Sequence, residues 1–332
     1  MKQVNITILG ATGAVGREML KVLLERGFDP ARIRALASAR SAGKVIEVGG
    51  QAFTVAEATD AAFAGADIVL GAASNALAKQ FAPAIKAAGA VFVDNSSAFR
   101  LDADVPLVVP EINGADAKNH HGIIANPNCS TIISLMALYP LKQLSPITSL
   151  IASTYQAVSG AGAGGLAELE QQVQDYAANK PLRHEKFPHQ IAFNLIPQIG
   201  SGLENGYTTE EMKMQNEGRK ILHLPEMNVT CTCVRVPVLR SHSISLTARF
   251  ERKISVAEAR EAIAAAPGCR LADDVANGIY PMPLETSDQD TVFVGRIRED
   301  LTDANGLALW CCGDQIRKGA ATNAVQIAEL LL

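Results

Sequence analysis

The stretch ILGATGAVGREML, residues 8–20, joins an apolar β-branched run to an amphipathic helical pattern through a turn that holds Gly10, Gly13 and Gly16. Glycines at such a junction let the chain turn tightly and bring backbone N–H groups close to a pyrophosphate, which then meets the positive end of the following helix. The spacing is G-x-x-G-x-x-G, because Thr12 stands where the stricter dinucleotide fingerprint has its second glycine. A tight turn with no ligand is the alternative. What favours a nucleotide is the flanking order, VNITILG as a strand and AVGREMLKVLLERG as a helix, which is the opening of a βαβ unit.

Outward from that junction the alternation continues to about residue 126. The runs RIRALAS, DIVLGAA, VFVDNS, VPLVVP and GIIAN read as strands, and NALAKQFAPAIKAAG carries helical spacing. Residues 1–128 are therefore expected to form a Rossmann-type, parallel-sheet nucleotide-binding domain in an α/β protein. From Cys129 the texture changes to one helix, the strand-like ITSLIASTYQAVSG, a long polar and helical region, and the paired strand-like runs NVTCTCVRVPVL and SISLTARFER. This predicts an α+β domain with a largely antiparallel sheet over residues 129–313. The closing LALWCCGDQIRKGAATNAVQIAELLL reads as a strand and then a helix, and residues 314–332 are expected to return to the first domain.

The 332 residues, 48% of them hydrophobic, suffice for two cores, since single domains usually run to about 100 to 200 residues. A formal charge of -4 without long Lys/Arg runs gives no electrostatic reason to expect a nucleic acid or an anionic membrane as partner. No apolar run approaches the roughly 20 residues of a membrane helix. The N-terminal MKQVNITILGATG lacks the apolar region and cleavage site of a secretory signal, so a cytoplasmic protein, mature from its first residue, is the expectation. Six cysteines, with Cys231 and Cys233 two apart and Cys311 beside Cys312, match neither a disulfide framework nor a zinc pattern. Reduced thiols and no metal are expected.

The end of the second strand should name the nucleotide, because an acidic residue there would hydrogen-bond an unphosphorylated ribose. LASARSAGK has none, and its Ser38, Arg40 and Ser41 suit a 2'-phosphate. NADP is favoured, with a solvated basic loop as the alternative. Cys129, in IIANPNCSTIISLMALYP, stands where a Pro/Asn loop gives way to an apolar helix. A thiol at a helix start meets the dipole and unpaired N–H groups, which favour a thiolate and can hold an oxyanion. Most free cysteines are nevertheless small buried hydrophobes. A thiol nucleophile also needs a group to manage its proton, and among six histidines His242 in RVPVLRSHSIS is the candidate. Arg100, Arg235 and the i, i+3 pair Glu210 and Lys213 offer charge for a small ionic substrate, although each alone reads equally well as surface charge.

Taken together, GATGAVG, SARSAGK, VDNSSAFR, NPNCST, STYQAVSGAG, EEMK, RVPVLRSH and RKGAATNAVQIAE, in unbroken order along the chain, resemble the aspartate-β-semialdehyde dehydrogenases, and within them the bacterial branch with NPNC around its cysteine. The resemblance implies Cys129 as nucleophile, His242 as general acid/base and Gln156 as the group that positions a thioacyl intermediate. It implies Arg235 for the substrate carboxylate, Glu210 for the substrate amino group, and Arg100, Lys213 and Asn128 for phosphate. It places Gly10, Thr12, Gly13, Ala14 and Val15 along the pyrophosphate, with Gly16 completing the turn, Ser38, Arg40 and Ser41 at the 2'-phosphate, and Asn323 near the nicotinamide amide.

The implied reaction interconverts L-aspartate 4-semialdehyde, phosphate and NADP with 4-aspartyl phosphate and NADPH through a Cys129 thioester, in lysine, threonine and methionine biosynthesis. A homodimer built through the second domain is implied as well. Many relatives carry a small residue, often glycine, before the histidine; this chain has Arg240 and Ser241, which leaves room for an additional cation near the pocket. The nearest rival is N-acetyl-γ-glutamyl-phosphate reductase, which applies the same thiol and histidine logic to an acylated substrate. A non-catalytic binding paralogue would lack the cysteine, and a thiol hydrolase would leave the nucleotide turn and Arg40 unexplained.

Overall fold

Strand β1 (Ile6–Leu9) is buried along its whole length and feeds across the glycine turn into helix α1 (Ala14–Glu25). The computed structural model describes residues 2–332. In chain order the next strands are β2 (Ile33–Ala37), β3 (Val45–Val48), β4 (Gln51–Glu57), β5 (Ile68–Gly71), β6 (Val91–Asp94) and β7 (Ile123–Ala125). They lie side by side as β3-β4-β2-β1-β5-β6-β7. All pairings are parallel except the β3–β4 hairpin. Burial on both faces is why the parallel strands read as uninterrupted apolar runs. The direction of strand order reverses at β1, and in such sheets the carboxyl ends of the strands at that switch point form the ligand crevice.

Two expectations are corrected in this sheet. VPLVVP is not a strand: Leu107 makes a single bridge to Ala125, the Asn113 side chain accepts from Val109 N–H at 2.9 Å and donates to the Leu107 carbonyl at 2.8 Å, and Val108 O accepts from Asn323. Pro106 and Pro110 have no N–H to give to a ladder, so the run cannot extend it. The β3–β4 hairpin, which turns on Gly49 and Gly50 with φ of +56° and +74°, was absent from the expected strands. Its β4 alternates exposed and buried residues and so lacks the continuous apolar run of its parallel neighbours.

The second sheet contains β8 (Ile147–Gln156), β9 (Asn228–Arg235), β10 (His242–Phe250), β11 (Cys269–Leu271), β12 (Val292–Glu299) and β13 (Gly306–Gly313), in the order β11-β12-β13-β10-β8-β9. β9 and β10, expected to pair with each other, are instead separated by β8, parallel to the first and antiparallel to the second. The link between them explains this: Val236 N–H bonds to Gln156 O, and Val238 O and Leu239 O accept from Val158 and Ser159, so the chain crosses the end of β8. The sheet is therefore mixed, with β11–β12 also parallel and the remaining pairs antiparallel. A parallel pair needs a long crossover.

Helix α2 (Asn75–Ala87) connects β5 to β6 in the first sheet. In the second unit, α3 (Cys129–Lys142) packs against the sheet and between two further helices, and is buried almost all round, which accounts for its uniformly apolar sequence. Helices α4 (Ala163–Ala177) and α5 (Thr209–Leu222) supply the crossover, and α6 (Val256–Ala265) lies beside α3. Among the described residues one compact unit ends at Asn128 and resumes at Ala320, and the other is Cys129–Gly319. The second crossing falls after residue 319 rather than after 313 because Asp314 anchors this stretch: its Oδ1 accepts from Ile316 and Arg317, and its carbonyl accepts from Gly319. The C-terminal helix Thr322–Glu329 packs on α1, where Arg26 Nε meets Glu329 at 2.9 Å and Lys2 pairs with the same carboxylate.

Candidate active site

The glycine turn packs backbone against backbone too closely for side chains at two of its positions. Gly10 has φ +92°, and a Cβ there would stand 2.4 Å from the Ala72 carbonyl oxygen; a Cβ on Gly16 would stand 2.3 Å from the Gly10 oxygen. The residue that caps α1 is Gly13, which has no side chain to cap the N–H groups of Ala14, Val15 and Gly16, and half-buried Thr12 precedes it. Uncapped first-turn amides and the dipole's positive end suit a diphosphate. Gly10 and Ala11 N–H both donate to Leu36 O, at 2.8 and 3.0 Å, and so tie the turn to the end of β2. Ser38, Arg40 and Ser41 follow directly, the first two exposed, with no carboxylate among them.

Arg100 and Asn128 belong to the same unit and are buried. Arg100 gives Nε to Asn126 O at 2.9 Å and Nη2 to Asn95 O at 2.7 Å, so much of its guanidinium braces the loops that follow β6 and β7. Asn323 is wholly buried and sends its amide hydrogens to Val108 O at 2.9 Å and Asn126 Oδ1 at 2.7 Å. Its donors are engaged within the protein.

In the second unit the sheet order does the assembling. β8 and β9 run parallel and end together, with Gln156 opposite Arg235, while antiparallel β10 starts with His242 one residue beyond the Ser243–Tyr155 pair. Arg235, Gln156 and His242 thus stand side by side at one end of the sheet. Ala157, the residue after Gln156, serves both neighbours through its two flanking peptides: its N–H donates to His242 Nδ1 at 3.0 Å, and its O accepts from Arg235 Nη1 at 2.6 Å. Gly160 lies against the same pair, since a Cβ there would be 2.8 Å from Arg235 Nη1 and 3.2 Å from His242 Nε2. Gly319 does likewise for Cys129, whose Cβ would be 2.9 Å from a side chain at that position.

Gln156 donates to Glu210 Oε1 at 3.2 Å and accepts from Thr154 Oγ1 at 3.0 Å, and Lys213 reaches Glu210 Oε2 at 2.7 Å. Glu210 is presented by the first turn of α5, where Thr208 and Glu211 form a capping box and Glu211 also takes Cys233 N–H at 3.0 Å. The thiol of Cys129, first residue of α3, is half-buried. Burial lowers the Arg235 pKa from its ordinary value, and the negative charges of Cys129 and then Glu210 oppose that shift, so the guanidinium lies within electrostatic reach of both. The six residues expected in this unit, Cys129, Gln156, Glu210, Lys213, Arg235 and His242, are brought together.

Arg240 is not an additional cation in the pocket. Its Nε lies 2.6 Å from Asp314 Oδ2 and its Nη1 2.9 Å from Asp288 Oδ1. Ser241 has φ +70°, a conformation that glycine adopts freely. Its N–H donates to Gln315 Oε1 at 2.8 Å, and Gln315 Nε2 bonds to Ser159 Oγ. Thr154, Ala157, Ser159, Gly160, Asp314, Gln315 and Gly319 escaped the sequence reading; several act through backbone atoms or through the absence of a side chain, which leaves little signature. The tract SGAGAGG was the one visible hint.

His242 is fully buried, and burial first, with Arg235 second, lowers its pKa to about 3, against the opposing pull of Glu210. A histidine kept neutral in the fold and free to protonate when unfolded makes stability rise with pH. Its contribution is whole above the ordinary value of 6.5 and is lost as pH falls toward 3. The loss at pH 5 is about 2 kcal/mol. The urea midpoint is expected to drop between pH 7 and pH 5 and to drop less in His242→Gln; equal slopes in the two proteins would rule this out.

Among the described residues no group of three or more His, Cys, Asp or Glu side chains is arranged to hold a metal ion, and no helix is long and apolar enough to cross a membrane. Residues 5–120 match the family described as Semialdehyde dehydrogenase, NAD binding domain, and residues 138–318 match Semialdehyde dehydrogenase, dimerisation domain. Aspartate-semialdehyde dehydrogenase of Synechocystis sp. is 50% identical over 329 residues, 99% of this chain and 97% of that protein. The chain belongs to the aspartate-semialdehyde dehydrogenases. Like other aspartate-semialdehyde dehydrogenases it is an oxidoreductase of amino-acid biosynthesis. Aspartate-semialdehyde dehydrogenase II from Vibrio cholerae, solved in complex with ASA, superposes with a TM-score of 0.96 at 41% identity, covering 100% of this chain and 98% of that one. The Candida albicans aspartate-semialdehyde dehydrogenase, solved with NADP, has a TM-score of 0.75 at 25% identity, with 99% and 98% covered.

Proposed function

We propose that the protein interconverts L-aspartate 4-semialdehyde and phosphate with 4-aspartyl phosphate, with NADP as the nucleotide, through a thioester on Cys129. The observation that supports it most is the convergence of Arg235, Gln156 and His242 at one sheet end, with Cys129 within electrostatic reach of the Arg235 guanidinium. Cys129 attacks the aldehyde carbon to form a thiohemiacetal, which becomes a thioester on oxidation; a phosphate oxygen then attacks the thioester carbon and the thiolate leaves. When bound, the nicotinamide supplies the hydride acceptor. With Nη1 on Ala157 O, Arg235 keeps its other N–H groups for the substrate carboxylate. Gln156, held by Thr154 and Glu210, would position the thioacyl group.

Glu210 favours a substrate with a free amino group over an N-acylated one; Lys213 is the candidate for phosphate in this unit, and Arg100 and Asn128 are the candidates in the other. Gly10, Thr12, Gly13, Ala14, Val15 and Gly16 would hold the diphosphate, Ser38, Arg40 and Ser41 the 2'-phosphate, and Asn323 would brace the nicotinamide side through Asn126. Free cysteines support a reducing compartment such as the cytoplasm. The exposed outer face of the second sheet, where Ile151 and Tyr155 stand and Tyr155 packs on Trp310 with ring centroids 5.4 Å apart, supports a homodimer; sedimentation at the mass of a single chain would overturn that part.

One assay tests the whole reading: phosphate-dependent nucleotide reduction with aspartate semialdehyde beside N-acetylglutamate semialdehyde, each with NADP and NAD. Aspartate semialdehyde with NADP should be fastest, and Arg40→Ala should weaken NADP use by roughly tenfold or more, through loss of one charge-assisted contact, with little effect on NAD. Preference for the acylated substrate, or equal loss with both nucleotides, would overturn the corresponding assignment.

A further inference from the structure

Strand β12 carries a bulge that its sequence does not favour. Its register against β13 slips between Gly295 and Arg298, so Arg296 and Ile297 together stand opposite Leu309. Arg296 takes φ +54° there. That left-handed backbone is costly for a residue with a Cβ and free for glycine, the usual occupant of such a position. A bulge that served only the sheet would be built better with glycine. Strain kept in place of glycine directs attention to what the side chain does.

The surroundings hold the bulge firmly. Asp273, just after β11 and with its side chain almost wholly buried, accepts Arg296 N–H on Oδ1 at 2.7 Å, and on Oδ2 it accepts Ile297 N–H at 3.3 Å and Arg260 Nη1 at 2.8 Å. Arg260, on α6, also gives Nη2 to the Asp273 carbonyl at 2.5 Å, and Arg298 gives Nη1 to the Arg296 carbonyl at 2.7 Å. The three arginines line one cavity of about 400 Å³. Its two carboxylates are engaged: Asp273 as above, and Asp274 with Asn277 N–H at 3.3 Å and Asn277 Nδ2 at 2.6 Å. The Arg296 guanidinium has no ion pair or hydrogen bond among the described residues. The capacity left over around the cavity is therefore chiefly that of guanidinium donors.

We propose that this cavity is a binding site, separate from the reaction site, for a small polyanion that carries at least two phosphate or carboxylate groups. Guanidinium groups take such oxygens two at a time, and three of them around one space repel each other until an anion enters. The volume is that of a small-molecule site, larger than a single ion needs, and the mostly polar lining calls for a ligand charged along its length. Arg260, fixed by Asp273, is the rigid cation of the site. Arg296 is the one with all its donors to give, and the bulge is what turns it toward the cavity. None of the three belongs to the group gathered at the ends of β8, β9 and β10.

The test uses the full-length enzyme with NADP and inorganic phosphate at saturation, so that the groups proposed for the reaction are occupied. Calorimetric titration with pyrophosphate and with citrate should show one site per chain for at least one of them, weakened by added sodium chloride. Preference for the first assigns phosphate groups to the ligand, and preference for the second assigns carboxylates. Glycine accepts φ +54°, so Arg296→Gly should keep the bulge and a thermal midpoint no lower than the parent's, while affinity falls at least about tenfold through loss of a charge-assisted pair. Arg298→Gln should weaken binding in the same direction. Turnover without added anion should be unchanged in both variants. No titratable site for either anion, or unchanged affinity in Arg296→Gly, would overturn the proposal. A lower thermal midpoint in that variant would do so too, by making Arg296 a structural part of the bulge. So would sedimentation in which Arg296→Gly dissociates an oligomer of a parent that binds neither anion, because the arginines would then pair with acidic residues of a second copy.

Discussion

Cys129→Ala is expected to lower phosphate-dependent turnover by at least about 10⁴-fold, the scale on which removal of a covalent nucleophile is felt in other enzymes. The reason is chemical rather than structural. Without the sulfur there is no covalent acyl carrier to join the oxidation to phosphate transfer, and the remaining groups bind a substrate they cannot hold as a thioester. The nucleotide cradle proposed at Gly10, Gly16 and the uncapped start of α1 belongs to the other unit, so NADP affinity measured by fluorescence titration should be unchanged. Turnover within about tenfold of the native rate would remove Cys129 from the mechanism.

Arg235→Lys should lower kcat/KM for aspartate semialdehyde by roughly 10² to 10³, although the charge is kept. The guanidinium does two things that an ammonium cannot do together: it bonds Ala157 O at 2.6 Å and presents a planar fork to a carboxylate. Lysine would give up one of these contacts, and because the N–H of the same residue, Ala157, meets His242, the loss should reach kcat as well as KM. The KM for phosphate is the internal control and should change little. A rise in phosphate KM as large as that for the semialdehyde would move Arg235 from the carboxylate to the phosphate subsite.

Much of this was legible in the chain. The glycine turn announced a βαβ unit because only glycine tolerates the Ala72 and Gly10 carbonyls at those distances, and parallel strands buried on both faces announced themselves as apolar runs. The β3–β4 hairpin and the VPLVVP segment were misread because a half-exposed strand dilutes its apolar signal and because prolines withdraw donors that a periodicity count does not notice. The pairing of β9 with β10 was misread because sequence proximity favours hairpins, whereas the link over Gln156 and Val158 carries the chain across β8.

The sequence by itself determined the inventory: a nucleotide turn, a basic loop without a carboxylate, a cysteine at a helix start, and the histidine, glutamine and arginine of the family's motifs. Only the tertiary structure decided which of them are neighbours and in what chemical state. Strand order puts residues 156, 235 and 242 at one sheet end, although no local pattern links them. One backbone N–H, at Ala157, then meets the His242 ring and fixes its orientation. Arg240, which looked in sequence like a stray cation beside the pocket, is neutralised by Asp314 from 74 residues away. Side-chain chemistry is written locally along a chain, but protonation and orientation are set by whatever the fold brings within hydrogen-bonding distance, and those partners lie far apart in sequence.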